Sequence, residues 1–267
     1  MKTGLRGRAG GSAADTMREI LYGRQPVRET LRAGRRQILR LLLARGISTT
    51  GIVAEILSLA RADRVLVQEL DRGELDKLSG DANHQGIAAE VSAYPYTEIA
   101  EILEGGRRAG DAPFVLLLDH LLDPQNLGSL LRSADAAGVD GIVLPGRRAA
   151  GVTPAAVRAS AGAAEHVLVA EVTNLVRAME QLKGEGLWLA GLEATPEAQD
   201  YSQADLTGPL GLLVGSEGTG LARLVKERCD FLIKLPMLGH VESLNAAVAG
   251  AITLYEVRRQ RSIAAQS

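Results

Sequence analysis

The run Phe114-Val-Leu-Leu-Leu-Asp119, followed by Asp123-Pro-Gln-Asn-Leu-Gly-Ser-Leu-Leu-Arg132, decides the fold. Its apolar residues are continuous, not alternating, which is how a strand reads when both of its faces are buried. The second segment reads as a helix over Pro124–Ala137. Leu127, Leu130, Leu131, Ala134 and Ala137 fall on one stripe, Asp123 can cap it, Pro124 suits its first position and Gly138 ends it. The same alternation continues downstream. Strands are predicted at Gly141–Leu144, His166–Val169, Leu187–Gly191, Leu210–Val214 and Phe231–Leu235. Helices are predicted at Ala155–Ala161, Leu175–Lys183, Gly220–Arg228 and Ser243–Gln260, the last with Leu244, Val248, Ala251, Ile252 and Tyr255 at helical period. The fold class is therefore α/β: a parallel sheet covered by helices, with ligands expected beyond the strand C-termini.

Upstream lies a smaller α/β unit. It reads as a helix from Pro26 to Leu31, an apolar run Ile38–Leu43, a helix around Ile52–Leu59, a strand Arg64–Gln68, a short helix near Leu70–Leu78 and a strand Gly86–Val91. The divisions are a flexible tail at 1–15, a first domain at 16–104, a Gly- and Arg-rich linker at 105–112 and a second domain at 113–267. No run of about 18 uncharged apolar residues exists, so no membrane span is expected. The basic, Gly-rich start has no apolar core and is not a secretory signal. Cytoplasmic localisation follows as the default. The 267 residues contain one cysteine, Cys229, which excludes an internal disulfide and a multi-thiolate zinc site.

The net charge of −2 hides an asymmetry. Residues 1–45 carry 11 Lys+Arg against 3 Asp+Glu, and ten of those cations are arginine. Guanidinium forks match phosphate oxygens in pairs, so this segment is a candidate nucleic-acid footprint; a basic tail with one solvated helix face is the plain alternative.

Several chemistries drop out. There is no GxxxxGK[ST] phosphate loop and no GxSxG elbow. Gly215-Ser-Glu-Gly-Thr-Gly220 has GxxGxG spacing, a poor fit to a dinucleotide loop. His84, His120, His166 and His240 never stand at i, i+4 and read as surface or turn residues; no metal is expected.

Three loops remain, each after a predicted strand. Asp123–Arg132 carries Asn126 and Arg132, six residues apart, which share a helix face only if Asn126 sits in an unwound first turn. Gly215–Leu221 has three glycines that allow close backbone approach to a ligand, with Glu217 its one charge; a tight turn with Glu217 at a helix start explains it equally. In Leu235–Asn245, plain capping explains Ser243 well and Asn245 less readily.

The segments DPQNLGSLLRSA, VGSEGTGL and LPMLGHVESLNAAVAGAITLYE resemble the three motifs of the SPOUT superfamily of RNA methyltransferases, most closely its TrmH/RlmB branch of ribose 2'-O methyltransferases. YGRQPVRETL and NHQGIAAEV resemble the small ribosomal-protein-like RNA-binding domain of the RlmB type. The resemblance implies a trefoil knot, homodimers whose site draws on both subunits, and S-adenosylmethionine held at Gly215, Leu235, Met237 and Leu244, with Leu213 a further lining candidate. It implies transfer of a methyl group to a ribose 2'-oxygen of RNA, a guanosine of large-subunit rRNA being the expected target. Arg132 matches the arginine proposed as catalytic. A guanidinium is effectively always protonated, so Arg132 is read as stabilising the developing alkoxide or clamping a phosphate. Asn126, Ser243 and Asn245 would orient the ribose and hold Arg132, and Glu217 would pair with Arg132 or the nucleotide, or act as base if its site is dry. Arg24, Arg28, Arg32, Arg35, Arg36 and Arg40 become candidate RNA contacts by shape and phosphate. Two alternatives stay open: a tRNA ribose 2'-O methyltransferase, and an RNA-binding protein with an inactive cofactor pocket.

Overall fold

The computed structural model describes residues 18–109 and 112–266, so the tail expected at 1–15 lies outside the described residues. The first unit comprises β1 (Arg18–Tyr22), α1 (Arg24–Ala33), β2 (Ile38–Ala44), α2 (Ile52–Ala62), β3 (Leu66–Leu70), α3 (Arg72–Leu78) and β4 (Ile87–Ser92). Its sheet runs β1-β4-β2-β3, with only β2 and β3 parallel. β1 escapes the periodicity reading because what makes it a strand is its pairing to β4, Leu21 opposite Ala89, far along the chain.

The second sheet collects β5 (Phe114–Leu118), β6 (Gly141–Pro145), β7 (Val169–Val172), β8 (Trp188–Leu192), β9 (Gln199–Asp200), β10 (Leu210–Val214) and β11 (Phe231–Lys234). The order is β7-β6-β5-β10-β8-β11-β9, parallel throughout. α4 (Ile99–Ala109), α5 (Pro124–Ala137), α6 (Pro154–Ala159), α7 (Leu175–Gly184), α8 (Arg223–Arg228) and α9 (Ala246–Ala264) complete the chain. Alternate side chains feed different cores. Leu116, Leu118, Leu212 and Val214 join Leu127, Leu130 and Leu254 on one face, while Val115, Leu117 and Leu213 join Met179, Leu182 and Val225 on the other. Two buried faces are why these strands read as unbroken apolar runs. The caps of α5 are as expected: Asp123 accepts from Gln125 N at 3.0 Å, and Gly138 takes the left-handed conformation at φ 69°.

Three expectations are corrected. Gly105–Ala109 is the end of α4 and not an irregular linker, and α4 belongs to the second sheet, where Ile99, Ile102 and Leu103 share a core with Val115 and Leu117. The strand expected from His166 starts at Val169, because Gly162, at φ 91°, leads from α6 into a 3-10 turn at Ala163–Glu165. The stripe on the last helix does not face the sheet: Leu244, Val248, Ile252 and Tyr255 are 38, 48, 39 and 54% exposed, and α9 packs instead through Gly250, Leu254 and Val257.

The two units are clasped by buried charge. Arg36, whose side chain is wholly buried, pairs with Glu19 and, at 3.2 Å, with Glu165, and donates to Ser92 O at 3.0 Å. Arg35 donates to Val167 O at 2.7 Å and Pro95 O at 3.2 Å, and Tyr94 Oη to Ala164 O at 2.8 Å. Burial pushes the Glu165 carboxyl up, against the pull of Arg36. Removing one partner of such a pair strands the other charge, so Arg36→Ala is expected to lower stability by about 3–5 kcal/mol in urea unfolding. Gly128 marks the α5–α6 crossing, where an added Cβ would stand 2.4 Å from Ala159 Cβ and 2.7 Å from Ala156 O. Gly128→Ala is therefore expected to destabilise by about 1–3 kcal/mol despite the better helix propensity of alanine, and a gain in the urea midpoint would contradict this packing.

Candidate active site

At the C-terminal ends of β8, β10 and β11 the sheet opens into a cavity of about 480 Å³. Its walls include Leu192 at the end of β8 and Glu193 after it, Gly215–Gly220 after β10, Leu235 and Met237 after β11, and Ser243–Ala246 leading into α9. Gly215, Leu235, Met237 and Leu244 thus all line one space. Leu213 does not. Strand period two sends it into the opposite core, and Val214 lines the cavity in its place.

The glycines of the β10–α8 turn serve the turn itself. Ser216 and Gly220 exchange backbone hydrogen bonds at 3.1 and 3.0 Å, and a Cβ on Gly215 would lie 2.2 Å from the Gly220 carbonyl carbon. Gly218 and Gly220 have φ of 84° and 65°, where a side chain is strained. Glu193, which sequence reasoning missed, braces this turn by accepting from Leu221 N at 3.0 Å while Lys226 reaches it at 3.3 Å. Asp119, buried at the end of β5, receives Ala222 N at 2.6 Å and meets His120 Nδ1 at 2.5 Å. The only sequence signal for either carboxylate is a lone acidic residue directly after an apolar run. His84 departs from the surface reading: it is buried, accepting from Gly86 N at 2.9 Å and bonded to Asp76 at 2.8 Å.

One carboxylate oxygen joins the three loops. Glu217 Oε1 accepts from Asn126 Nδ2 at 2.6 Å and from Asn245 Nδ2 at 2.5 Å, and Asn245 Nδ2 also donates to Asn126 Oδ1 at 3.0 Å. Asn245 is the N-cap of α9, its Oδ1 accepting from Ala247 N at 3.0 Å and Val248 N at 3.2 Å, so the capping role expected of Ser243 belongs to Asn245. Ser243 lines the cavity without joining this cluster. Arg132 stands apart from it. α5 is regular from Pro124, so the roughly 120° between Asn126 and Arg132 persists, and Arg132 is exposed, neither lining the cavity nor meeting Glu217.

The basic segment is largely spent internally. Arg28 and Arg32 both pair with Glu29 and Glu55, and Arg40 with Glu90. Arg24 bonds the Gln85 side chain and carbonyl. Arg35 and Arg36 sit in the interdomain clasp, where Arg36 is out of reach of any RNA.

Comparison with known proteins now bears on this site. Residues 113–255 match the model of the SpoU rRNA methylase family. The chain belongs to that family. Residues 20–97 match a second family model, described as RNA 2'-O ribose methyltransferase substrate binding. A Bacillus subtilis protein named as a TrmH family tRNA/rRNA methyltransferase, YacO, is 43% identical over 244 residues, spanning 91% of this chain and 96% of its own. Among solved structures, the SpoU methyltransferase AviRb of Streptomyces viridochromogenes, in complex with AdoMet, superposes with a TM-score of 0.77 at 27% identity, over 92% of this chain and 91% of its own. An AdoMet-bound rRNA methyltransferase of Sinorhizobium meliloti gives 0.75 at 25% identity, over 91% and 88%. In this SpoU protein the unit matched by the substrate-binding model precedes the parallel-sheet domain that the methylase model matches.

Asn245 has two separable jobs in it, cap and donor. Serine caps a helix about as well as asparagine but has no amide to give to Glu217. Asn245→Ser should keep the thermal midpoint while methyl transfer falls at least about tenfold, and Asn245→Ala should lose about 1 kcal/mol of stability as well.

Proposed function

We propose that this SpoU protein transfers a methyl group from S-adenosylmethionine to a ribose 2'-oxygen of RNA, with a guanosine of large-subunit rRNA as its target. The observation that carries this reading is the Glu217–Asn126–Asn245 cluster at the rim of a cavity walled by Leu235, Met237 and Leu244. The family match of residues 20–97 to a ribose 2'-O methyltransferase substrate-binding model supports the acceptor atom.

The cavity fits the cofactor. Its volume of about 480 Å³ and its mixed lining, apolar at Val214, Leu235, Met237 and Leu244 and charged at Glu193, Lys234 and Glu242, suit a nucleoside with a charged tail. S-adenosylmethionine, when bound, supplies an electrophilic methyl on a sulfonium. Gly215, Leu235, Met237 and Leu244 would hold it and keep water from it. Glu217 uses Oε1 for the two asparagines, so Oε2 is the oxygen that can accept a hydrogen bond from the 2'-hydroxyl. Asn126 and Asn245 hold that carboxylate in place, and Ser243 offers a hydroxyl on the same wall.

Arg132 requires a second chain in this reading. The exposed stripe Leu244, Val248, Ile252 and Tyr255 is an apolar face beside the cavity, suited to a homodimer that brings Arg132 of one protomer to the cavity of its partner. There its guanidinium stabilises the developing alkoxide or clamps the adjoining phosphate. The knotted threading belongs to the same reading, supported by β10 entering between β5 and β8. Arg24, half-buried and bonded to Gln85, is the first unit's remaining candidate for RNA outside an ion pair, with Arg28 and Arg32 partly neutralised by their glutamates. Among the described residues no helix is long and apolar enough to cross a membrane, and no group of His, Cys, Asp or Glu that would hold a metal occurs.

The test is a tritiated-methyl assay on total cellular RNA with nucleotide mapping. Label on a ribose of rRNA is expected; label on tRNA would change the substrate, and label on a base would overturn the reading. Arg132→Ala is expected to lower turnover by about 100-fold or more, with S-adenosylmethionine affinity by calorimetry unchanged. Arg132→Lys should lose most of that rate too, since it keeps the charge but not the fork.

A further inference from the structure

The positive charge that RNA would meet is not where the composition puts it. Of the eight arginines between residues 18 and 45 that the structure describes, Arg18, Arg28, Arg32, Arg36, Arg40 and Arg45 are in ion pairs within the chain. The turn that follows β6, Gly146-Arg147-Arg148, is different. Both arginines are exposed, and among the described residues neither has a carboxylate within ion-pair distance. Glu171 is packed against this turn, its carboxyl group 2.9 Å from where a Cβ on Gly146 would stand, and it forms an ion pair with neither arginine.

The turn is held firmly. Gly146 N donates to Val172 O at 2.9 Å, Ala150 N to Leu121 O at 2.7 Å, and Val152 N to Tyr96 Oη at 2.9 Å. The second bond fastens it to the β5–α5 loop, which leads into Asn126. The third fastens it to Tyr96, which packs edge-to-face on Tyr94 in the junction between the two units, centroids 5.0 Å apart. Arg148 adopts a left-handed φ of 56°, a conformation that costs a non-glycine residue energy and persists because the flanking bonds impose it. A rigid, unpaired, doubly cationic turn therefore lies between the first unit and the loop that leads into α5 and Asn126.

The geometry points to Arg147 and Arg148 as the phosphate contacts that guide a single-stranded segment of the RNA from the first unit to the cavity. This rests on the reading of RNA as the substrate. Two exposed guanidiniums in one turn match consecutive phosphates of a sugar-phosphate backbone, which gives affinity and register without reading bases. An unpaired arginine also gives up no internal ion pair on binding, unlike Arg28 or Arg32.

Each phosphate neutralised on a single strand adds about 0.7 to the slope of log affinity against log salt. With the full-length protein and a short fluorescent single-stranded oligoribonucleotide, Arg147→Ala/Arg148→Ala should reduce that slope by about 1.4 and raise the KM for rRNA. Arg147→Lys/Arg148→Lys should retain the slope, and Arg28→Ala/Arg32→Ala should leave it near that of the unmodified protein. Equal thermal midpoints identify the effect as charge and not unfolding. An unchanged slope in the double alanine variant, with the unmodified protein binding RNA in a salt-dependent way, overturns the assignment of these two residues alone. No salt-dependent RNA binding by the unmodified protein would overturn the RNA reading on which it rests.

Discussion

Burial of β10 on both faces sets the positions of everything that matters for the site. Leu212 and Val214 enter one core and Leu213 the other, so the strand has no freedom to slip by a residue without exchanging its two faces. Its neighbours β5 and β8 are parallel to it, with Val214 level with Leu118 and Leu192. The three chains therefore leave the sheet side by side at one edge. From that edge the Gly215–Gly220 turn, the Asp119–Asn126 segment and the Leu192–Glu193 wall follow as short extensions of buried strands.

On this frame, polar groups are placed by mutual satisfaction. Asn245 would be occupied by the helix start alone if it were a serine; as an asparagine it caps α9 with one atom and reaches Glu217 and Asn126 with the other. A single acceptor, Glu217 Oε1, ties loops more than a hundred residues apart in the chain. Such a cluster holds loop positions to within hydrogen-bond tolerance, which is the accuracy that group transfer requires.

The arginines divide by their surroundings and not by their number. Arg35 and Arg36 spend their donors on carbonyls and on Glu19 and Glu165 at the junction, where a charge in a dry site must be fully paired. The cost of burying them is offset by those ion pairs and hydrogen bonds, which tie the two units together. Several arginines of the cationic segment are paired by glutamates, among them Glu55 and Glu90, that fold back onto it from further along the chain.

Much of the architecture could be read from residue patterns alone. Continuous apolar runs located β5, β6, β8, β10 and β11 to within a residue or so, and the Asp123, Pro124 and Gly138 signals bounded α5, because local burial and capping act over a few residues. The motif resemblance also picked out Gly215, Leu235, Met237 and Leu244, which do share a cavity. What could not be read was which face a stripe presents and which side chains meet. The predicted stripe Leu244, Val248, Ile252 and Tyr255 points outward, β1 and α4 depend on partners far along the chain, and Arg132 and Asn126 lie on different sides of one regular helix. Periodicity states that residues share a face but not what that face touches; that is settled only when the sheet order brings distant strands together and hydrogen bonds choose their partners across it.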